Sequence, residues 1–580
     1  MDRVRVAAGR MGSPHLRSPR LGPAGLVALV LAAYTALSVW ATWPLATRLA
    51  DSLPMGTGGS ATVPLSSAWS LWWTADRLAA GLSGLWNAPI FHPIAGSFAF
   101  SETVLLGGLA TAPLFWLGVS PALAHNGLLL VFLVANGGFA FALLRAMRVR
   151  PALAGLGGAM ILMLPYVHYE IGVLTLVPVW GWLWMLWAIR SLFREPSTRG
   201  GVRLGLAAAA TSLLCAHYAL FALLIVVPAG ALLFGRRLAD RELLRALVAA
   251  GGVAVSLAGP VAWTQLSAAR EHEFVRSLDR AQQGAATPAA WISTPWRDVL
   301  MPPPLRHTPD PEAMPLFPGT ARTLLALLGC VWAWRARRDR CWLTFLATVG
   351  VAGLALSMAP HLEIAGWNPY ASVQDAIPGL AQARSLWRAG ALTQIVAVLL
   401  ACVALDLAAR RAADVGSSAG RRGLAAAIAA LGLLCVFEMP PGRQRLADVP
   451  HRADYADFAG WIDAHLGPGD ALLHLPMPEQ PFVHALEPVT RWMYATAWHG
   501  RPMVNGYSSY FPMETRRLMK RLVGCPDARA YAGLGRRGVR AIVVEQDWLR
   551  DHPGCGPPSP HWTPQYRDPT LGVVVFAPAF

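Results

Sequence analysis

Long apolar runs alternate along the chain with short loops, and arginine gathers at every second end of a run. Arg145, Arg148 and Arg150 close one run, and Arg190, Arg194, Arg199 and Arg203 lie between two more. Arg236, Arg237, Arg241 and Arg245 follow, then Arg335, Arg337, Arg338 and Arg340, then Arg410, Arg411, Arg421 and Arg422. Positive residues beside spanning segments stay in the cytoplasm, so these clusters mark one face of a polytopic α-helical membrane protein. About eleven spans are predicted, near 24–44, 122–144, 152–166, 172–192, 203–216, 219–234, 244–266, 320–336, 341–358, 387–408 and 423–438. Arg3, Arg5, Arg10, Arg17 and Arg20 precede the first run, and no small-residue cleavage site follows before Trp43-Pro44. The run is close to the ~20 residues a span requires, which favours an uncleaved first span over a signal peptide, with the amino terminus inside. An odd number of spans then puts the carboxyl end outside. Counting the apolar stretch 103–119 as a span would invert every later arginine cluster, so it is expected to lie on, or dip into, the outer leaflet.

This divides the chain into a basic cytoplasmic segment (1–23), a transmembrane domain (24–438) with a large first outer loop (45–121), and an extracytoplasmic domain (439–580). Further outer regions are 267–319 and 359–386. In the tail, 471–477, 541–545 and 572–577 read as short strands, while 455–466 and 513–523 read as amphipathic helices. A small α/β domain is expected.

Composition agrees: 54% of residues are hydrophobic, 14% are charged and mean hydropathy is +0.41, outside the range of soluble globular proteins. The formal charge of +16 would suit nucleic acid, but the arginines are spread over short loops. Membrane orientation accounts for them, and no nucleic-acid partner is expected. Of the seven cysteines, Cys215, Cys330, Cys341, Cys402 and Cys435 fall in or beside spans, where the thiol is an ordinary small apolar group. Cys525 and Cys555 lie in the outer domain, where a disulfide and two free thiols are equal alternatives. No Cys or His spacing suggests a structural zinc site, no Walker loop or Gly-x-Ser-x-Gly elbow is present, and Gly155-Leu156-Gly157-Gly158 inside an apolar helix reads as close packing.

The first outer loop holds most of the candidate chemistry. It carries Asp51, an acid-free Gly/Ser/Thr stretch at 56–65, an aromatic segment with Trp69, Trp72 and Trp73 suited to the membrane interface, then His92 and Glu102. Acids beside a bilayer are costly unless solvated or paired, which makes Asp51 and Glu102 candidates for catalysis. His168 and Glu170, and His217 with Tyr218, sit at turns on the same side, where capping a helix is an equal alternative. Arg384, Trp387 and Arg388 precede the tenth span. Arginine at an outer end opposes the positive-inside trend; a phosphate at the membrane surface would explain it, and so would a salt bridge to Asp375 or a first-loop acid.

Several segments resemble the GT-C superfamily of membrane glycosyltransferases, and more closely a poorly characterised bacterial group within it. They are Thr42-Trp43-Pro44-Leu45, 69–73, 87–93, Phe100-Ser101-Glu102, 165–168, 384–388 and 504–512. The resemblance implies a multi-pass protein of the bacterial inner membrane that takes a sugar from a polyprenyl-phosphate donor and passes it to a glycan, lipid or protein acceptor. It implies inverting transfer with Asp51 or Glu102 as general base, and His92, His168, Glu170, Arg384, Trp387 and Arg388 binding substrate. Arg384 and Arg388, or a divalent metal ion, would stabilise the leaving phosphate. Such proteins usually carry an aspartate in the Gly-rich stretch, and 56–65 has none. That departure keeps two other readings open, a GT-C-like scaffold that binds glycolipid without transfer, and a lipid or polysaccharide transporter.

Overall fold

The computed structural model describes residues 22–301, 314–337, 339–479, 482–558 and 561–578. Arg3, Arg5, Arg10, Arg17, Arg20 and Arg338 lie outside the described residues.

All eleven predicted segments are helical. Nine described helices are long and apolar enough to cross a membrane, from Ala24–Ala41 to Ser418–Phe437, so this is a multi-pass membrane protein. The other two, Thr198–Leu214 and Thr320–Arg335, have 17 and 16 residues. At 1.5 Å per residue they are roughly 24–26 Å long, against a hydrocarbon core of about 30 Å. Leu105–Trp116 is a 12-residue helix, about 18 Å, too short to cross. Helix starts follow local chemistry: Ser120, Ser197, Asp240 and Ser417 each accept an orphan backbone N–H at an N-cap.

Leu386–Ala413 is the most enclosed spanning segment, with 89% of its apolar window buried, whereas Ala24–Ala41 and Arg241–Glu271 have 17% buried and form the rim. Close approach depends on small residues. A side chain on Gly329 would strike the Leu400 carbonyl, and one on Gly158 would strike the Tyr34 hydroxyl and the Gly137 carbonyl. The Gly155–Gly158 stretch is therefore a packing surface, and Tyr34 donates to the Gly155 carbonyl at 2.9 Å. Beside Thr320–Arg335, Arg322 and Glu438 form an ion pair at 3.1 Å with both side chains fully buried. Glu438 also accepts from the Ala321 N–H at 2.7 Å, and Arg322 donates to the Cys435 carbonyl at 2.8 Å.

The first loop and the tail share one core. β1 (Ser52–Pro54) pairs antiparallel with β2 (Leu446–Asp448), with Ser52 opposite Asp448. The tail sheet contains β3 (Ala471–Leu475), β4 (Val539–Glu545), β5 (Thr563–Asp568) and β6 (Val573–Ala577) in the order β3-β4-β6-β5. β3 and β4 are parallel and the other pairs antiparallel. β5 was not anticipated. Ala456–His465 and Met513–Leu522 form the two expected helices, and Glu487–His499 adds one that packs on the first-loop helix Thr62–Ala79. That packing corrects the interfacial role expected of the tryptophans. Trp69 and Trp73 are buried in the core shared with the tail, and Trp69 Nε1 donates to Thr496 Oγ1 at 2.9 Å. Cys525 and Cys555 are joined as a disulfide.

Candidate functional site

Glu102 follows the turn at Ser97–Phe100 and meets a break between two helices. Thr198–Leu214 ends at Cys215, whose backbone is extended, and Ala216–Phe221 begins immediately after it. The break frees the His217 N–H, which donates to Glu102 Oε1 at 3.0 Å, while His217 Nδ1 lies 2.6 Å from the same oxygen. A π-helical turn, Ala222–Val226, follows directly, a distortion often found at functional sites. Burial opposes ionisation of Glu102, but the His217 ring and backbone N–H outweigh it, with Arg388 adding to them, and the carboxyl is held at about 2. Glu102 is thus a carboxylate at neutral pH, and the proton of the short contact resides on Nδ1. That leaves Nε2 of His217 as the ring nitrogen that Glu102 does not engage.

Across from this dyad, Arg388 lies in the short turn Leu386–Ala389 and points one guanidinium nitrogen at Glu170 Oε2, 3.5 Å away. Its Nε is buried and has no hydrogen-bond partner among the described residues. Its salt bridge is to Glu170 rather than Asp375, and the first-loop acid Glu102 lies within electrostatic range. Trp387 packs edge-on against Tyr166 and Tyr169, at 5.5 and 5.7 Å between ring centres. Tyr218, next to His217, donates its hydroxyl proton to the Leu176 carbonyl, and the Tyr166 hydroxyl lies 3.3 Å from the same oxygen. Glu102, Glu170, His217, Trp387 and Arg388 are thereby drawn together from the first loop and three separate helical turns.

Other expected site residues lie elsewhere. Asp51 is exposed, beside the β1–β2 ribbon, where its backbone carbonyl accepts from Val449. His168 is fully buried, with Nε2 3.0 Å from the Leu162 carbonyl, and bridges its short turn to the end of the preceding helix, Pro151–Leu162. His92 lines a separate cavity of about 810 Å³ with Trp72, Asp76, Asn87, Trp498 and His499, and burial lowers its pKa. The acid-free stretch is met by an acid from the tail: Glu487 accepts from Ser60 Oγ at 3.2 Å and from the Ala61 N–H at 3.0 Å, at the start of Thr62–Ala79. Arg384 is exposed and faces another cavity, between outer loops and tail.

Glu102, Cys215 and His217 offer three ligand atoms within 4.8 Å of one another, a grouping the sequence spacing had not suggested. Nitrogen, sulfur and one carboxylate oxygen form a zinc-like set, whereas magnesium and its relatives require oxygens. The trio does not fit a hard divalent ion.

No protein-family description matches the chain, and no curated protein matches it. Solved structures do. A variant of arabinofuranosyltransferase AftD from Mycobacteria aligns over 97% of this chain and 42% of its own, at 15% identity and a TM-score of 0.59. Another AftD structure gives 96%, 40%, 15% and 0.52. ArnT from Cupriavidus metallidurans, bound to undecaprenyl phosphate, covers 96% of this chain and 98% of its own, at 14% identity and a TM-score of 0.48. The chain spans about two fifths of the length of the AftD chains it matches. The AftD matches show the fold alone, and that fold is GT-C-like.

Proposed function

We propose that the protein is an inverting glycosyltransferase of the bacterial cytoplasmic membrane, acting on the extracytoplasmic side with its amino terminus in the cytoplasm. The donor is a sugar linked to a polyprenyl phosphate, and the acceptor is a glycan, lipid or protein hydroxyl. The observation that carries this reading is the pairing of an oriented imidazole base with a buried guanidinium whose Nε is open, on one site at one end of the bundle.

In the proposed reaction His217 Nε2 takes the proton of the acceptor hydroxyl as its oxygen bonds to the anomeric carbon. Glu102 holds the tautomer and stabilises the imidazolium that forms, so it is a positioning carboxylate rather than the base; a carboxyl held near 2 is a weak base at neutral pH. The bond from the anomeric carbon to the phosphate oxygen breaks on the opposite face, and the polyprenyl phosphate departs with the electron pair. Arg388 stabilises that charge through Nε, while Glu170 fixes the guanidinium. Glycolipid binding without transfer is the second reading, motivated by the acid-free stretch at 56–65, where the carboxylate of Glu487 serves as a helix cap.

The test is transfer from a panel of polyprenyl-phosphate sugars by membranes containing the protein, with the product's anomeric configuration read by NMR. Inverted product, and a loss of roughly 10²–10³-fold in Arg388→Gln, are expected. Retained configuration, or full activity in Arg388→Gln, contradicts the mechanism.

A further inference from the structure

A cavity of about 790 Å³ lies between the second outer loop, the segment before the tenth span, and the tail. Arg276, Arg280, Arg384, Arg516, Arg517 and Lys520 line it, and among the described residues Glu479 is the only acid that does. No ion pair engages any of these six cations among the described residues. Arg276 is anchored, donating to the Ser509 carbonyl at 2.8 Å and lying over the Tyr510 ring at 4.1 Å, yet its Nε is buried with no partner. Ser508 lines the same cavity, is 4% exposed, and its hydroxyl likewise has no partner. Buried donors left open beside uncompensated positive charge are costly unless a ligand meets them. Arg384 lies within electrostatic range of Arg388, which connects the cavity to the Glu102 site.

From these observations we infer that the cavity is the acceptor subsite, and that the acceptor is a saccharide carrying several phosphate or carboxylate groups, free or as the headgroup of a lipid. The inference rests on the transfer reading above. A single phosphate leaves most of the six cations unmatched, whereas a cavity in the ~300–1,000 Å³ range holds a ligand of a few sugar rings. Arg516, Arg517 and Lys520 project from the exposed face of Met513–Leu522, whose other face is buried through Thr515, Leu518, Met519 and Leu522. They can be changed without opening the core.

The experiment is calorimetric titration of the full chain in detergent micelles, without donor, so that a failure of transfer does not affect it. The probes are trigalacturonate, a diphosphorylated glycolipid in the same micelles, and neutral maltotriose. Binding of either anionic probe, weakened by salt and reduced about tenfold or more in Arg516→Gln/Arg517→Gln/Lys520→Gln, supports the inference, with the binding probe telling free glycan from lipid headgroup. Ser508→Ala, a smaller change at the cavity wall, should weaken the same probe. The inference is overturned if neither anionic probe binds, if maltotriose binds as well, if the triple variant binds unchanged, or if polyprenyl monophosphate displaces the probe.

Discussion

Replacing Arg322 with methionine tests how the bundle tolerates charge. The Arg322 and Glu438 side chains are both fully buried and 3.1 Å apart. Burial pushes the Glu438 carboxyl up to about 7 even with the guanidinium beside it, and without Arg322 it must stay protonated well above that. Below pH 7 wild type and variant share the cost of protonating a carboxyl of ordinary value 4.5, so their difference opens above it. The sign follows from proton counts: above about 7 the wild-type carboxyl releases its proton and stability levels off, whereas the folded variant keeps its proton and goes on losing ~1.36 kcal/mol per pH unit. Arg322→Met should therefore fall a further ~2–3 kcal/mol below wild type between pH 7 and pH 9, and show almost none of that pH-dependent gap at pH 5. Adding Glu438→Gln should remove the pH-dependent part, because the amide oxygen still accepts from Ala321 and nothing remains to protonate. SDS unfolding in mixed micelles, followed by tryptophan fluorescence, reads this directly. A gap that does not widen with pH, or one that persists at pH 9 in the double variant, refutes the reasoning.

Three more outcomes follow from the outer module and the site. Cys525→Ser/Cys555→Ser opens a loop with a sequence separation of 30 and should cost about 3.6 kcal/mol by loop entropy, seen as a lower melting temperature and faster proteolysis of the tail. Glu487→Gln weakens the acceptor at the start of Thr62–Ala79 and the pairing with Arg491, and should lower stability by about 1 kcal/mol in the same melts. Because the Glu102 carboxyl is held near 2, its ionisation adds stability that is complete above about 4.5 and lost as pH falls through 2; Glu102→Gln should flatten that acid limb in denaturation curves.

The bundle was legible in the sequence because apolar runs and arginine placement report on a bilayer segment by segment. Helices occupy each predicted run, and 103–119 forms a helix too short to cross. Long-range pairing was not legible. Nothing local in 52–54 announces a partner at 446–448, and Glu487–His499 mixes Trp492 and Tyr494 with Arg491 in a pattern whose buried face is defined only by Thr62–Ala79. The site divides similarly. Glu102, Glu170 and Arg388 stood out as charges beside a membrane, but their partners lie 115 and 218 residues away in the chain. His217-Tyr218 held the one local clue, a polar pair between two half-length spans. Asp51 carried the same signal as Glu102, and only the fold separates the exposed acid from the enclosed one.

The most direct measurement of the central claim is transfer of radiolabelled sugar from polyprenyl-phosphate donors, comparing wild type with His217→Asn, Glu102→Gln and Asp51→Asn at equal protein level. The account predicts that His217→Asn and Glu102→Gln each lose roughly 10²-fold or more, while Asp51→Asn stays within about twofold of wild type. Loss of transfer in Asp51→Asn with His217→Asn and Glu102→Gln still active would place the chemistry at the other acid, and no transfer by wild type across the panel would leave a binding protein.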